Sequence, residues 1–203
     1  NLKTSLNSKN MQAAFSSISK WPNYQPTQLR SLNHVAKFCG VRSVRYKDES
    51  TRFGLGSFKA LGGSYAIANL TEEYKAKGQL PSKITVATAT DGNHGRSVSW
   101  GAKLAGCNAK IFIHAEVSTE REKAMSDLGA DVIRIKGNYD ASLAACKEAA
   151  ELNNWPIVSD TSWHGYRGIP MQIMAGYSVM SKEILSQMTG SKPSHIFLPI
   201  GVG

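Results

Sequence analysis

From Ile84 onward the chain repeats one unit, a short and nearly unbroken apolar run followed by a longer stretch with apolar residues at helical spacing. The runs at 84–88, 109–114, 131–135, 156–159 and 195–200 predict strands, and 95–104, 119–128, 139–152 and 170–188 predict the helices around them. Strands apolar on both faces must be covered on both faces, and repeated strand–helix–strand crossovers make the sheet parallel. The expected fold class is therefore α/β, with open, parallel, twisted sheets flanked by helices. Ligands of such sheets sit beyond the carboxyl ends of the strands. Asp91, Asn93, Asp160 and Gly201 all fall just after predicted strand ends.

Upstream, 41–47 alternates well enough for a strand that ends in Asp48-Glu49-Ser50, and a helix is expected from Phe58 until Gly78 stops it. Residues 1–20 are polar and helix-compatible, and Pro22 and Pro26 punctuate an extended segment after them.

With 203 residues and 41% hydrophobic content there is material for one large domain or two small ones. No apolar run approaches a membrane span, and no secretory signal is visible, so a soluble, cytosolic protein is expected. Cys39, Cys107 and Cys146 are odd in number and lack metal-ligand spacing, which argues against a disulfide framework and against a metal site. The net charge of +9 would suit a nucleic-acid surface, but the lysines and arginines are scattered, without a basic run or interleaved aromatics.

Two cassettes carry the chemistry. In Arg52-Phe-Gly-Leu-Gly-Ser-Phe-Lys59, glycines lead to a lysine at a helix start, where the positive end of the helix dipole favours a neutral, nucleophilic amine. That suits a Schiff-base lysine, whereas most lysines so placed are surface residues. In Thr90-Asp91-Gly92-Asn93-His94-Gly95-Arg96, a strand-to-helix turn gathers groups able to grip a planar anion; taken singly, Asn93 reads as a helix cap, His94 as a packing residue, and Asp91 and Asp160 as capping or turn residues. Gly54-Leu-Gly56-Ser-Phe-Lys59 satisfies neither the P-loop nor the dinucleotide fingerprint, so nucleotide chemistry is not indicated. Gly201-Val202-Gly203, after the last predicted strand, reads as the start of a glycine-rich phosphate loop.

These two stretches, with Asp160-Thr-Ser-Trp-His-Gly-Tyr166, resemble the fold-type II pyridoxal phosphate enzymes from about Tyr24 to the last residue. Asp91 stands where the family usually has a small residue, and His164 where it usually has Glu. The resemblance implies pyridoxal 5'-phosphate bound covalently by Lys59, with Phe58, Asn93 and Gly201-Val202-Gly203 as further cofactor contacts. It implies α,β-elimination from a small amino acid. Within the family the Asp91 substitution points to D- and L-2,3-diaminopropionate, giving pyruvate and ammonia. Lys59 would be the base for the L-form and Asp91 for the D-form, with Asp91 and Asp160 as candidates to protonate the leaving amine and hold the second ammonium. Serine or threonine dehydration is the rival chemistry, which gives Asp91 no task, and a non-catalytic binding fragment is the rival class. The resemblance further implies a cytoplasmic homodimer without nucleic-acid or membrane partners. Residues 1–50 would begin the larger domain, 51–168 form the smaller domain carrying Lys59, and 169–203 return to the larger one. Because the sequence stops within the glycine-rich loop, it is expected to be the front half of an enzyme, inactive by itself.

Overall fold

The structure, a computed structural model, describes residues 6–190 and 192–199. Helix α1 (Ser8–Ile18), capped by the Asn7 side chain, leads to a two-stranded antiparallel ribbon of β1 (Leu29–Ser31) and β2 (Arg45–Lys47), with the short α2 (Asn33–Phe38) between them. After a run of 3-10 turns at Glu49–Gly54 comes α3 (Lys59–Ala76). Then the alternation begins: β3 (Thr85–Ala89), α4 (Asn93–Ala105), β4 (Asn108–His114), α5 (Thr119–Ser126), β5 (Asp131–Ile135), α6 (Tyr139–Asn153) and α7 (Gly168–Gln187).

Strands β3, β4 and β5 lie side by side in that order, all parallel. Although each run is apolar throughout, successive side chains leave opposite faces. Val86, Ile111 and Ile113 pack with Val98 of α4 and Met125 of α5, while Ala87, Ala89 and Phe112 pack with Cys146 and Ala150 of α6. The fold is the expected mixed α/β layering around a parallel sheet.

Three expectations need correction. The strand predicted at 156–159 contracts to a single parallel bridge, Ile157 beside Ala87, because two backbone hydrogen bonds are all that hold it to β3. Of the strand predicted at 195–200, residues 195–199 have no regular structure, and Ile200 lies outside the described residues. The strand at 41–47 is shorter and antiparallel, paired with β1, whose three residues are too few to leave a periodic signal.

Helix α3 is buried almost all round its first three turns and is gripped from two sides by small residues. A Cβ on Gly101 of α4 would lie 2.6 Å from Ser64 Cα, and one on Gly176 of α7 would lie 2.3 Å from the Leu61 carbonyl oxygen. Glycines at the crossings therefore let both neighbours approach backbone to backbone. Ser64 Oγ completes the first contact by donating to the Ser97 carbonyl at 2.9 Å.

A buried ionic cluster ties the N-terminal segment to α7. Arg52, 1% exposed, donates to Glu49 at 2.8 Å and to both oxygens of Glu183 at 2.8 and 2.6 Å. Lys47 Nζ adds a bond of 2.8 Å to Glu183, and the Tyr24 hydroxyl one of 2.9 Å. Two cations and two carboxylates balance, and Thr27 fills remaining donor and acceptor positions. Burial alone would push the Glu183 carboxyl up, but the bonds from Arg52 and Lys47 outweigh it and hold it below the ordinary value.

Two measurements check these contacts. Gly176→Ala would gain helix propensity, yet its methyl meets backbone that cannot step aside, so urea unfolding should show a loss of about 1–3 kcal/mol. Since Glu183 is held below its ordinary 4.5, the stability it confers is complete above that pH and is lost as pH falls through the lowered value. Glu183→Gln should destabilise by roughly 3–5 kcal/mol at neutral pH and flatten the acid limb of the unfolding midpoint.

Candidate active site

The chain reaches Lys59 through two left-handed glycines, Gly54 and Gly56, both at φ 72°, which turn it sharply enough for α3 to begin at the lysine itself. Ser57 Oγ accepts from the Lys59 amide at 3.2 Å. Phe53, in a left-handed conformation unusual for an aromatic residue, is held by stacking on Trp100 of α4 at 4.6 Å between ring centres. Phe58 caps α3 and sets its ring edge-on against Tyr177 of α7 at 5.0 Å.

The second cassette forms the expected turn between β3 and α4. Thr90 Oγ1 accepts from the Gly92 amide at 3.2 Å, and Arg121 of α5 donates to the Asp91 carbonyl at 3.1 Å. Gly92 is the capping residue, so Asn93 occupies the first helical position, exposed and with its amide unbonded to any described residue. That placement removes the helix-cap reading of Asn93. Gly95 has a packing role: a Cβ there would lie 2.3 Å from Met125 Sδ and 2.5 Å from Thr90 Cγ2.

Asp160 lies just beyond the bridge at Ile157, and its Oδ2 is bonded to Lys59 Nζ, joining two residues that are 101 positions apart. Tyr166 fixes the backbone leading to that carboxylate. Its hydroxyl accepts from the Ser159 amide at 2.9 Å and donates to the Ile157 carbonyl at 2.8 Å, while its ring stacks on Trp163 at 3.9 Å. Burial pushes the Tyr166 phenol up to about 12, keeping it protonated and able to donate. His164 is exposed on this turn. Burial opposes the charge on Asp160, but the neighbouring His94 and the Lys59 ammonium outweigh it and hold the carboxyl below its usual range.

The structure thus brings Lys59 and Asp160 together. Asp91 is exposed at the head of α4 and makes no side-chain bond among the described residues, although burial and then the fields of Asp160 and Asp91 raise the phenol of Tyr139. Gly201, Val202 and Gly203 lie outside the described residues. Of three further groups near the pair, sequence reasoning read His94 as a packing residue and missed Tyr139 and Tyr177. His94 is 5% exposed with Nδ1 3.8 Å from Asp160 Oδ2; Tyr139 shares the field of both carboxylates; the Tyr177 hydroxyl is buried without a partner in the structure and also feels Asp160. Only His94 sits inside a motif, and the tyrosines converge on the site from helices far away in sequence.

These residues suit a carbonyl-bearing, anionic cofactor. A half-buried primary amine stands beside a carboxylate able to exchange protons with it, a free amide waits at Asn93, and the space beyond Gly92 is open, the nearest atom to a Cβ there being Arg121 Nη1 at 3.9 Å.

Comparison with known proteins agrees with this donor set. The family model described as "Pyridoxal-phosphate dependent enzyme" matches residues 20–203. The diaminopropionate ammonia-lyase of Escherichia coli (strain K12) is 42% identical over 197 residues, covering 91% of this chain and 50% of that protein. The catabolic L-threonine dehydratase of Staphylococcus aureus (strain USA300) is 31% identical over 182 residues, covering 90% of this chain and 48% of its own. The crystal structure of the Escherichia coli diaminopropionate ammonia lyase in complex with an aminoacrylate-PLP azomethine reaction intermediate superposes with a TM-score of 0.87 at 40% identity, over 94% of this chain and 51% of that one. The chain spans about half the length of the curated relatives it matches. On a family match that runs through both cassettes and the Asp160 turn, the chain belongs to the pyridoxal-phosphate-dependent enzymes.

Proposed function

We propose that the protein containing this chain is an ammonia-lyase that converts 2,3-diaminopropionate and water to pyruvate and two molecules of ammonia. The observation that carries the reading is the Lys59–Asp160 pair, with a second carboxylate, Asp91, on the turn that opens α4. The likeness to the Escherichia coli lyase supports the choice of substrate.

Lys59 would hold pyridoxal phosphate covalently, with Phe58, Asn93 and the Gly201-Val202-Gly203 run as its further contacts. The cofactor, when bound, supplies an electron sink for the pair released at Cα. The rest is the work of side chains. Lys59 Nζ takes the α-proton of the L-form, and Asp91 takes it from the opposite face for the D-form. A β-amino group leaves only when protonated, so a carboxylate beside Cβ must keep a proton on it; Asp160 would do so through Oδ2, a role supported by its bond to the Lys59 ammonium. Tyr166 would hold that oxygen in position by pinning Ile157 and Ser159. In this reading residues 51–168 form the smaller domain, 1–50 and 169–203 belong to the larger, and the enzyme is a cytoplasmic homodimer. No helix among the described residues is long and apolar enough to cross a membrane.

Dehydration of serine or threonine is the second reading, favoured by the likeness to the threonine dehydratase. It leaves Asp91 without a role.

Borohydride reduction of the cofactor-loaded full-length protein, followed by peptide mapping, should place the pyridoxyl group on Lys59; label on a different lysine would overturn the assignment. Pyruvate release should be far faster from diaminopropionate than from serine or threonine, and Asp91→Asn should slow the D-isomer by about 100-fold or more while sparing the L-isomer. Equal loss on both isomers would remove the case for two bases, and a preference for serine would favour the dehydratase reading.

A further inference from the structure

The Asp91 side chain is exposed and makes no bond among the described residues, so its reach depends on the backbone that carries it. Asp91 precedes α4 and lies outside that helix's own hydrogen bonds. On one side the Thr90 amide is tied to β4 through the Phe112 carbonyl at 3.0 Å, and on the other Gly92 is tied to Thr90 Oγ1. The bond that acts on Asp91 itself comes from outside the motif: Arg121 Nη1 donates to the Asp91 carbonyl at 3.1 Å.

Arg121 is aimed there by the way α5 meets α4. Arg121 and Met125 are four residues apart and share a face of α5. Met125 lies over Gly95, where a Cβ would come within 2.3 Å of its sulfur, so the glycine lets the two helices close and brings the guanidinium, one turn away, against Asp91 and Gly92. The start of α5 is itself stapled. Arg134 of β5 donates to the Ala115 and Val117 carbonyls, both at 2.7 Å, and to Glu122 at 2.5 Å, while Ser118 Oγ accepts from the Arg121 amide at 3.4 Å. A cation in the first turn of a helix is opposed by the helix dipole, and Arg121 forms no ion pair among the described residues, so neither α5 nor a neighbouring carboxylate accounts for it. The Asp91 carbonyl does.

We propose that Arg121 is a positioning residue for the D-isomer: it acts through Asp91, holding the carbonyl so that the carboxylate of the same residue keeps the distance and angle at which it takes the α-proton. The inference rests on the lyase reading above and adds to it a residue outside both cassettes. The L-isomer's path does not pass through this bond. Lys59 begins α3, and Asn93 begins α4, which is held independently by the packing at Gly95 and by His94 Nε2 on the Val158 carbonyl at 2.8 Å.

Arg121 is exposed, so substitutions there leave the core intact. In the cofactor-loaded full-length enzyme, Arg121→Gln removes the charge and shortens the side chain, whereas Arg121→Lys keeps a charged donor. The kcat for D-2,3-diaminopropionate relative to that for the L-isomer should fall about tenfold in Arg121→Gln and return to within about threefold of the wild-type ratio in Arg121→Lys. The visible absorbance of the bound cofactor should stay as in the wild type. In an Asp91→Asn background, Arg121→Gln should change the D-isomer rate by less than about twofold, because the group it positions is gone. An unchanged ratio in Arg121→Gln, a loss shared by both isomers, a ratio in Arg121→Lys as low as in Arg121→Gln, or a full tenfold loss in the Asp91→Asn background would each overturn the proposal. A second readout needs no turnover. Hydrogen exchange at the Gly92 and Arg96 amides, both bonded within the turn, should quicken by about threefold or more in Arg121→Gln and slow again in Arg121→Lys. Absence of pyruvate from diaminopropionate in the wild type, or equal loss on both isomers in Asp91→Asn alone, would be a failure of the lyase reading or of its D-face base. Exchange then decides the contact by itself: quickening in Arg121→Gln supports the hold on Asp91, and unchanged exchange sinks it.

Discussion

The Arg52 guanidinium is sealed from water, a situation tolerated only because Glu49 and Glu183 reach it from two directions and Lys47 neutralises the remaining charge. Glu49 and Arg52 belong to the turn that enters the Lys59 loop, Lys47 to the antiparallel ribbon, and Glu183 to the far end of α7. One ionic contact therefore fixes where three segments meet. Buried ion pairs seldom add net stability over apolar packing, but breaking one strands a charge, so such a cluster selects a single arrangement of the segments that carry it. Here that arrangement sets the origin of the loop that delivers Lys59 to the sheet.

From that origin, the position of Lys59 depends on how closely three helices approach. Gly101 and Gly176 allow α4 and α7 to press against the backbone of α3, and the ring of Tyr177 fills space beside Gly62 that any side chain would occupy. Close packing of this kind leaves α3 little freedom to slide, and its first residue is the lysine. The same contact brings the head of α4, with Asp91, Asn93 and His94, to the same end of the molecule as Lys59. Rigid packing away from the chemistry thus decides the chemistry's geometry.

Asp160 is held differently, by a turn rather than a helix. Tyr166 spans two residues on the approach to the carboxylate with one hydroxyl that accepts and donates at once, and Trp163 stacks on its ring. The imidazole of His94, anchored to the Val158 carbonyl two residues before Asp160, sets its Nδ1 3.8 Å from the carboxylate. Lysine, carboxylate and imidazole thereby converge from three separate elements.

Taken by itself, the sequence determined the alternation of strand and helix, the parallel sheet, the strand-to-helix turn at Thr90–Gly92 and the helix start at Lys59, because each follows from local periodicity or from glycines whose backbone freedom acts within a few residues. Matching motifs also identified Lys59 and Asp160 as members of one site. What the sequence could not display was any contact made by convergence. The partners of Arg52 include Glu183, 131 residues away, and nothing in the pattern around either residue announces the other. The strand predicted at 156–159 looked like its neighbours in composition, yet only pairing decides whether an apolar run becomes a strand, and this one has a single bridge. His94 was visible as a residue, but whether it packs or faces a carboxylate depends on where Val158 and Asp160 place their atoms. Tertiary structure alone decided that, because hydrogen-bond geometry is settled within tenths of an ångström by packing that gathers residues from the whole chain.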